Sequence, residues 1–316
     1  MGRSLPRSAI PLLAALLFAP PAAAWPDRAI TIVYPYAPGS DGHARALAEA
    51  FSREFGQPVV VENRDGASGV IGMRFVAGAP PDGYTLGLTP MTPLAVQPHT
   101  VRNLDLGPDR FEPICNVTDN ILGLVVRDSS PFADVPALVA AAHSRQLDFG
   151  SPGPNSIPEI AVLRMQAAAG GDYLHLPFRG SAVSITEVLA GRLDFAATVV
   201  ATAGPMIRGG GLRLLGVFSE HRHPEFPDVP TLREQGIDAV QASFASLYAP
   251  RGTPEPVLAR LEAACGRALR TEGFRRAAAG MGAVTDFRGR EELRALLASE
   301  YRAFGRLLAS PGTGRP

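Results

Sequence analysis

Three turns in this sequence place glycine, proline and small hydroxyl residues between a short apolar run and a helical pattern. The first is Tyr34-Pro35-Tyr36-Ala37-Pro38-Gly39-Ser40-Asp41-Gly42, and the second is Phe149-Gly150-Ser151-Pro152-Gly153-Pro154-Asn155-Ser156. The third is Phe178-Arg179-Gly180-Ser181-Ala182. Glycine lets the backbone come close to a bound group. The helix that follows offers unsatisfied N–H groups and the positive end of its dipole, so such a turn can hold an anion. Taken alone, Ser40 or Asp41 reads more simply as a helix N-cap. Three such turns in one chain suit a carboxylate held between opposed helix N-termini at the C-terminal edges of two sheets.

Other chemistry finds little support. The chain has no GxSxG elbow, HExxH, P-loop or CxxC pair, so no cofactor or metal is expected. Asp65-Gly66-Ala67-Ser68-Gly69-Val70-Ile71-Gly72 is rich in glycine but lacks GxGxxG spacing. His221 and His223 lie close together in a polar segment, which reads as a solvated loop ahead of a weak metal site. Asn116-Val117-Thr118 matches a glycosylation sequon, which a bacterial export context discounts. A hydrolase built on Asp41, His43 and a serine is the rival from another class, and the closeness of Asp41 to His43 is its whole support.

The elements that must position these turns follow from hydrophobic periodicity. Strands are predicted at 30–34, 59–61, 84–88, 121–126, 147–149, 173–176, 195–200 and 212–218, and helices at 44–55, 68–77, 137–143, 160–168 and 184–189. Two amphipathic helices close the chain, 256–269 and 291–308, the first with Thr253 as its cap and Pro254 behind it. Strands alternating with helices mean an α/β fold. Two such series mean two lobes, each a mainly parallel sheet flanked by helices, with a ligand cleft between them. The expected division is 25–123 with 241–316 as the first lobe and 124–240 as the second.

At 316 residues and 46% apolar content the chain is long enough for two cores. Its formal charge is zero, with no lysine, which gives no nucleic-acid surface or polybasic membrane patch. Residues 1–24 read as an export signal. Arg3 and Arg7 begin it, Ala9 to Ala19 form an apolar stretch, and Ala22-Ala23-Ala24 supply the small residues before cleavage near Ala24/Trp25. About 11 apolar residues fall short of the roughly 20 that span a bilayer. Cys115 and Cys265 could pair in an oxidising compartment or stay as buried thiols, and spacing alone leaves both open.

Several ordered motifs resemble the periplasmic receptors of tripartite tricarboxylate transporters, the Bug family. They include Trp25-Pro26-Asp27-Arg28-Ala29-Ile30, the Pro-Tyr-Ala-Pro-Gly turn at 35–39, and Gly56-Gln57-Pro58-Val59-Val60-Val61-Glu62-Asn63-Arg64. Ala79-Pro80-Pro81-Asp82-Gly83-Tyr84-Thr85-Leu86, Leu176 to Ala182, Pro227-Asp228-Val229-Pro230-Thr231 and Tyr248 to Pro254 continue the match over essentially all of the mature chain. The resemblance implies a type II-like two-lobed periplasmic binding protein, monomeric and not an enzyme, that closes on a small organic carboxylate and passes it to membrane permease subunits. A receptor that reports to a sensor kinase is the alternative within this class. The resemblance also implies the site: Tyr36, Ala37, Pro38, Gly39, Ser40 and Asp41 of the first turn, and Ser151, Gly153, Asn155 and Ser156 of the second. Thr89 and Thr92 would line the same cleft, with Arg179, Gly180, Ser181, Ala182 and Thr198 facing them from the second lobe.

The sequence departs from the family pattern at the pocket. The first turn is about two residues shorter than usual, Asn155 stands where glycine is usual, and Glu159 stands where histidine is usual. If Glu159 faces the cleft, its charge disfavours multiply charged acids. If it faces solvent, it simply favours the helix dipole.

Overall fold

The structure is a computed structural model that describes residues 25–36, 38, 41–280 and 283–309. The expected export signal and three first-turn residues, Ala37, Gly39 and Ser40, lie outside the described residues. Among the described residues the chain runs β1 (Ile30–Tyr34), α1 (Gly42–Phe55), β2 (Val59–Asn63), α2 (Val70–Ala77), β3 (Thr85–Pro90), α3 (Gln97–Thr100) and β4 (Phe111–Asp119). It continues β5 (Leu122–Arg127), α4 (Val135–Ala142), β6 (Leu147–Ser151), α5 (Ile157–Ala169), β7 (Tyr173–Pro177), α6 (Ser181–Leu189), β8 (Phe195–Val199), α7 (Val200–Arg208) and β9 (Leu212–Val217). Then come β10 (Phe244–Pro250), α8 (Glu255–Ala268), α9 (Glu272–Gly280) and α10 (Arg290–Ala309).

Two five-stranded sheets result, ordered β2-β1-β3-β10-β4 and β7-β6-β8-β5-β9. Each is mixed, with four strands running the same way and one reversed. In the first, β10 runs antiparallel to both β3 and β4. In the second, β5 runs antiparallel to both β8 and β9. The reversed strand in each sheet is the one that has just crossed from the other lobe. It enters at the edge where its neighbours end: Phe244 sits opposite Asp119, and Leu122 opposite Val199. Both crossovers therefore join the C-terminal edge of one sheet to the C-terminal edge of the other.

The first crossover is only Asn120–Ile121, which holds the two edges within about 11 Å there. The Asn120 N–H donates to Ser243 O at 2.7 Å, so the two crossovers are bonded to each other as a hinge.

Local reasons account for the elements. In α1, Ala44, Leu47, Ala48 and Phe51 are buried at helical spacing, and Gly56 ends the helix at φ 65°. Asp134 caps α4 by accepting the Ala137 N–H at 2.8 Å. Thr253 does not cap α8, because its hydroxyl donates to Pro250 O at 2.8 Å and Pro254 stands at the cap.

The strand expected to reach Val200 stops at Val199. The Val200 N–H turns to Ile121 O at 2.8 Å, and α7 begins there. α1 and α8 cover one face of the first sheet in a core with Leu86, Leu88 and Ile114. Leu293, Leu297 and Phe304 of α10 pack in a second core with Phe111 and Tyr248. Cys115 of β4 and Cys265 of α8, both fully buried, are joined as a disulfide with Cα atoms 6.6 Å apart.

Candidate ligand site

In the first lobe the turn after β1 is pinned from below. The Asn63 amide donates to Tyr36 O at 3.0 Å, and the Arg64 N–H donates to Tyr34 O at 3.0 Å. The Tyr36 hydroxyl donates to Ser68 O at 3.4 Å, and burial pushes its phenol well above the usual range while a hydrogen bond with Thr89 opposes that. Pro38 is exposed. Thr89, fully buried at the end of β3, also donates to Pro90 O at 3.0 Å. Thr92 opens a single wide turn, Thr92–Val96, closed by a Gln97 N–H to Thr92 O bond, a form found often beside functional sites.

Asp41 stands at the cap position of α1, yet its carboxylate makes no cap bond and takes Arg45 Nη2 at 2.6 Å instead. It is 4% exposed and faces its own lobe.

Sequence reasoning overlooked the segment that supports this turn. Ala67 and Ser68 both have positive φ, 48° and 53°, an uncommon pairing in non-glycine residues. A side chain at Gly69 would press on the Tyr36 hydroxyl at 3.1 Å. One at Gly72 would meet Pro35 Cβ at 2.6 Å and Arg64 O at 2.8 Å. The recurrence of glycine at 66, 69 and 72 was the available signal.

In the second lobe the turn after β6 closes on itself. Ser156 caps α5 by accepting the Glu159 N–H at 3.4 Å, and the Glu159 carboxylate reaches back to accept the Asn155 N–H. Asn155 holds φ 58°, which accounts for asparagine where glycine is usual. Glu159 is also 3.1 Å from His175 Nδ1 on β7, so its carboxylate is occupied within the lobe. That removes the basis for a free charge facing the cleft.

The third turn touches the second, with the Phe178 N–H donating to Ser151 O at 3.0 Å. Gly180 begins α6 at φ 117° with no side-chain cap, and no acidic residue lies in the first turn. Ser181 is half-buried, while Arg179 and Ala182 are exposed. Thr198 is fully buried at the end of β8, the counterpart of Thr89 at the end of β3.

α1 and α6 thus begin without a side-chain cap on the cap residue, whereas α5 satisfies its own start. Helix starts of this kind, one in each lobe, are what a carboxylate can use. Neither of two cavities elsewhere is lined by a predicted site residue. One, about 350 Å³, lies beside Arg145 and Asp194, and the other, about 930 Å³, lies behind the hinge beside Arg164 and Arg288. No group of three or more His, Cys, Asp or Glu suited to a metal occurs among the described residues.

His43 does not act as a base toward Asp41. Burial lowers its pKa from 6.5 to about 4 against the opposing pull of Asp41, and it packs edge-on to Tyr34. In the unfolded chain it takes a proton near pH 6.5; in the folded chain it resists until about 4. The unfolded state therefore binds more protons in this window, and stability falls as pH falls. The largest loss is about 3 kcal/mol. Denaturant titrations between about pH 7 and pH 4 are expected to show this loss, and His43→Gln is expected to flatten it. Equal slopes in the two proteins would disprove the assignment.

Two α/β lobes of equivalent strand order, hinged at their C-terminal edges with strand-to-helix turns on both, define a two-lobed solute-binding protein. The profile of the tripartite tricarboxylate transporter family receptor matches residues 43–309, and the chain belongs to that family. It is 34% identical over 292 residues to a UPF0065 protein of Pseudomonas sp. strain P51, covering 90% of this chain and 87% of that one. A TctC solute-binding protein from Polaromonas, solved without ligand, superposes with a TM-score of 0.84 at 28% identity, covering 90% of this chain and 99% of that one. MatC of Rhodopseudomonas palustris, solved with malate, gives 0.73 at 29% identity over 90% and 100% of the two chains. A second R. palustris protein, solved with adipate, gives 0.75 at 26% identity over 90% and 97%. The family is one of receptors, not enzymes.

Proposed function

We propose that this receptor captures a small organic carboxylate in the periplasm and delivers it to the permease subunits of a tripartite tricarboxylate transporter. The observation that carries the reading is the pair of helix starts, α1 in one lobe and α6 in the other, lying at edges that the hinge holds together. The malate and adipate held by two relatives support the ligand class. Export through residues 1–24, with cleavage near Ala24/Trp25, and a monomeric state belong to the same proposal.

The ligand surface is assigned to Tyr36 to Asp41, Thr89, Thr92, Ser151 to Ser156, Arg179 to Ala182 and Thr198, with Ser68 and Gly69 as support. Thermal unfolding in the presence of acetate, malate, adipate and citrate tests the reading. At a hundredfold excess over Kd a bound acid stabilises the folded state by about 2.7 kcal/mol. One or more of the di- or tricarboxylates is expected to raise the midpoint and to shrink the radius of gyration in solution scattering as the lobes close. If none of the four shifts the midpoint at any concentration, the carboxylate reading fails.

A further inference from the structure

In the second turn, a hydrogen-bonded chain ties residues of the proposed ligand surface to His175 and Glu159 behind them. Glu159 Oε1 lies 3.1 Å from His175 Nδ1, and His175 Nε2 lies 2.7 Å from Ser151 Oγ. Ser151 Oγ lies in turn 3.1 Å from Ser156 Oγ, 3.0 Å from Gly153 O and 3.3 Å from Gly153 N. The His175 ring is stacked on Phe149 at 4.9 Å, which fixes its plane.

Carboxylate, imidazole and serine in this order are the parts of a nucleophilic relay. Ser151 is fully buried, however, and its proton and lone pairs are engaged inside the turn, so a substrate carbonyl has no approach to it. The chain orients hydroxyls; it does not attack.

We infer that His175 is a proton-linked positioning residue for the second-lobe half of the ligand site, so that a carboxylate is captured there together with a proton. The inference rests on the receptor reading above.

Proton counting gives the sign. The Glu159 carboxylate can only accept, so Nδ1 carries a hydrogen toward it. With neutral His175, Nε2 is an acceptor and takes the Ser151 hydroxyl proton. Ser151 Oγ is then left to accept, and the Ser156 hydroxyl donates to it. With cationic His175, Nε2–H donates to Ser151 Oγ, and the Ser151 proton turns to Gly153 O. The Ser156 hydroxyl, half-buried at the rim of the turn, is then released to donate to a ligand. Protonation thus adds one positive charge and frees one donor, and both favour an anion. By linkage, a bound carboxylate favours the protonated ring to the same degree.

The charged groups around the ring are few. Glu159 faces it from α5, and β6 contributes Phe149 and Ser151. Asp194 is held by Arg145 at 2.6 Å, and Asp148 stands beside the same guanidinium.

The experiment is calorimetric titration of malate and of adipate into the intact receptor between about pH 5.5 and 8.5. It is run in two buffers of different ionisation heat, with NMR titration of the His175 ring in parallel. Binding is expected to weaken about five- to tenfold as pH rises, with net proton uptake and a His175 titration that moves upward on binding. His175→Gln is expected to bind with a flat pH profile. Should that variant fail to fold, the wild-type ring titration decides alone. Tight binding with unchanged affinity across the range, or a His175 titration unmoved by malate and adipate, overturns the inference and leaves the receptor reading standing. Failure of acetate, malate, adipate and citrate to bind at any pH overturns both.

Discussion

Opening the Cys115–Cys265 disulfide is expected to cost the folded receptor about 2–5 kcal/mol. The bond spans 150 residues of sequence, and that span contains all of β5 through β9. It therefore closes a loop around the whole second sheet and ties together the two halves of the first lobe, β4 on one side and α8 on the other. Loop closure on this scale removes much of the freedom of the unfolded chain, about 5 kcal/mol in the chain-entropy picture. Both sulfurs are fully buried, so replacing either cysteine with alanine also leaves a small cavity in the core that holds Ile114 and Leu261. Reduction of the wild-type protein separates the two effects, since it opens the loop and keeps the volume. The midpoint of denaturant unfolding is expected to fall clearly on reduction and further in Cys115→Ala/Cys265→Ala. A reduced protein, with both thiols shown to be free, that unfolds at the oxidised midpoint would refute this account.

The second large effect is expected at Arg164→Met. Arg164 projects from α5 in the second lobe to Glu300 of α10, which packs on the first, at 2.8 Å. Its other nitrogen donates to Val240 O at 2.9 Å, and Phe304 lies 5.3 Å beneath the guanidinium. Glu300 is 8% exposed, and burial raises its pKa while Arg164 and Gln241 hold it down. Removing the arginine leaves a buried carboxylate facing no cation, a change that costs on the order of 3 kcal/mol near pH 8.

The sign with pH follows from the same residue. Without Arg164 the folded-state pKa of Glu300 rises further above its unfolded value, so the penalty grows as pH rises and fades as pH falls toward the ordinary glutamate range. Adding Glu300→Gln is expected to recover most of the loss at high pH. The pair links the lobes, so the single variant is also expected to broaden or split the unfolding transition. A penalty equal at about pH 5 and pH 8 would show that packing against Phe304, not charge, is what Arg164 supplies.

How much of this was legible beforehand varies by element. β1 and β9 announced themselves by short apolar runs rich in Ile, Val and Leu, although each is buried but for one residue. β10 did not, because all seven of its residues are buried and no alternation survives when both faces are covered. β4 was obscured by Pro113, which argues against a strand until a partner accommodates it. The register shift between Leu247 and Tyr248 of β10 does so, setting Tyr248 opposite Pro113. The first residue of α7, Val200, was read as the end of a strand and the rest of the helix was not predicted, since Thr198, Val199 and Val200 all favour extended backbone. A hydrogen bond to Ile121, almost eighty residues earlier in the chain, decides otherwise.

Periodicity and turn chemistry, both local, settled on their own the α/β class and the two series of strands, and they marked three turns between strand and helix. The motifs settled the family as well, because ordered motifs survive in sequence whatever the packing does. Three things needed the tertiary structure. The reversed strand in each sheet exists because a crossing chain must enter at the edge it arrives from, and that is a property of both lobes together. The disulfide depends on β4 and α8 meeting across a gap of 150 residues, which spacing cannot report. The role of Glu159 depends on His175, 16 positions away on a neighbouring strand. A carboxylate for which the sequence left both the cleft and solvent open lies 3.1 Å from an imidazole, since an edge strand brings the ring beside the helix start.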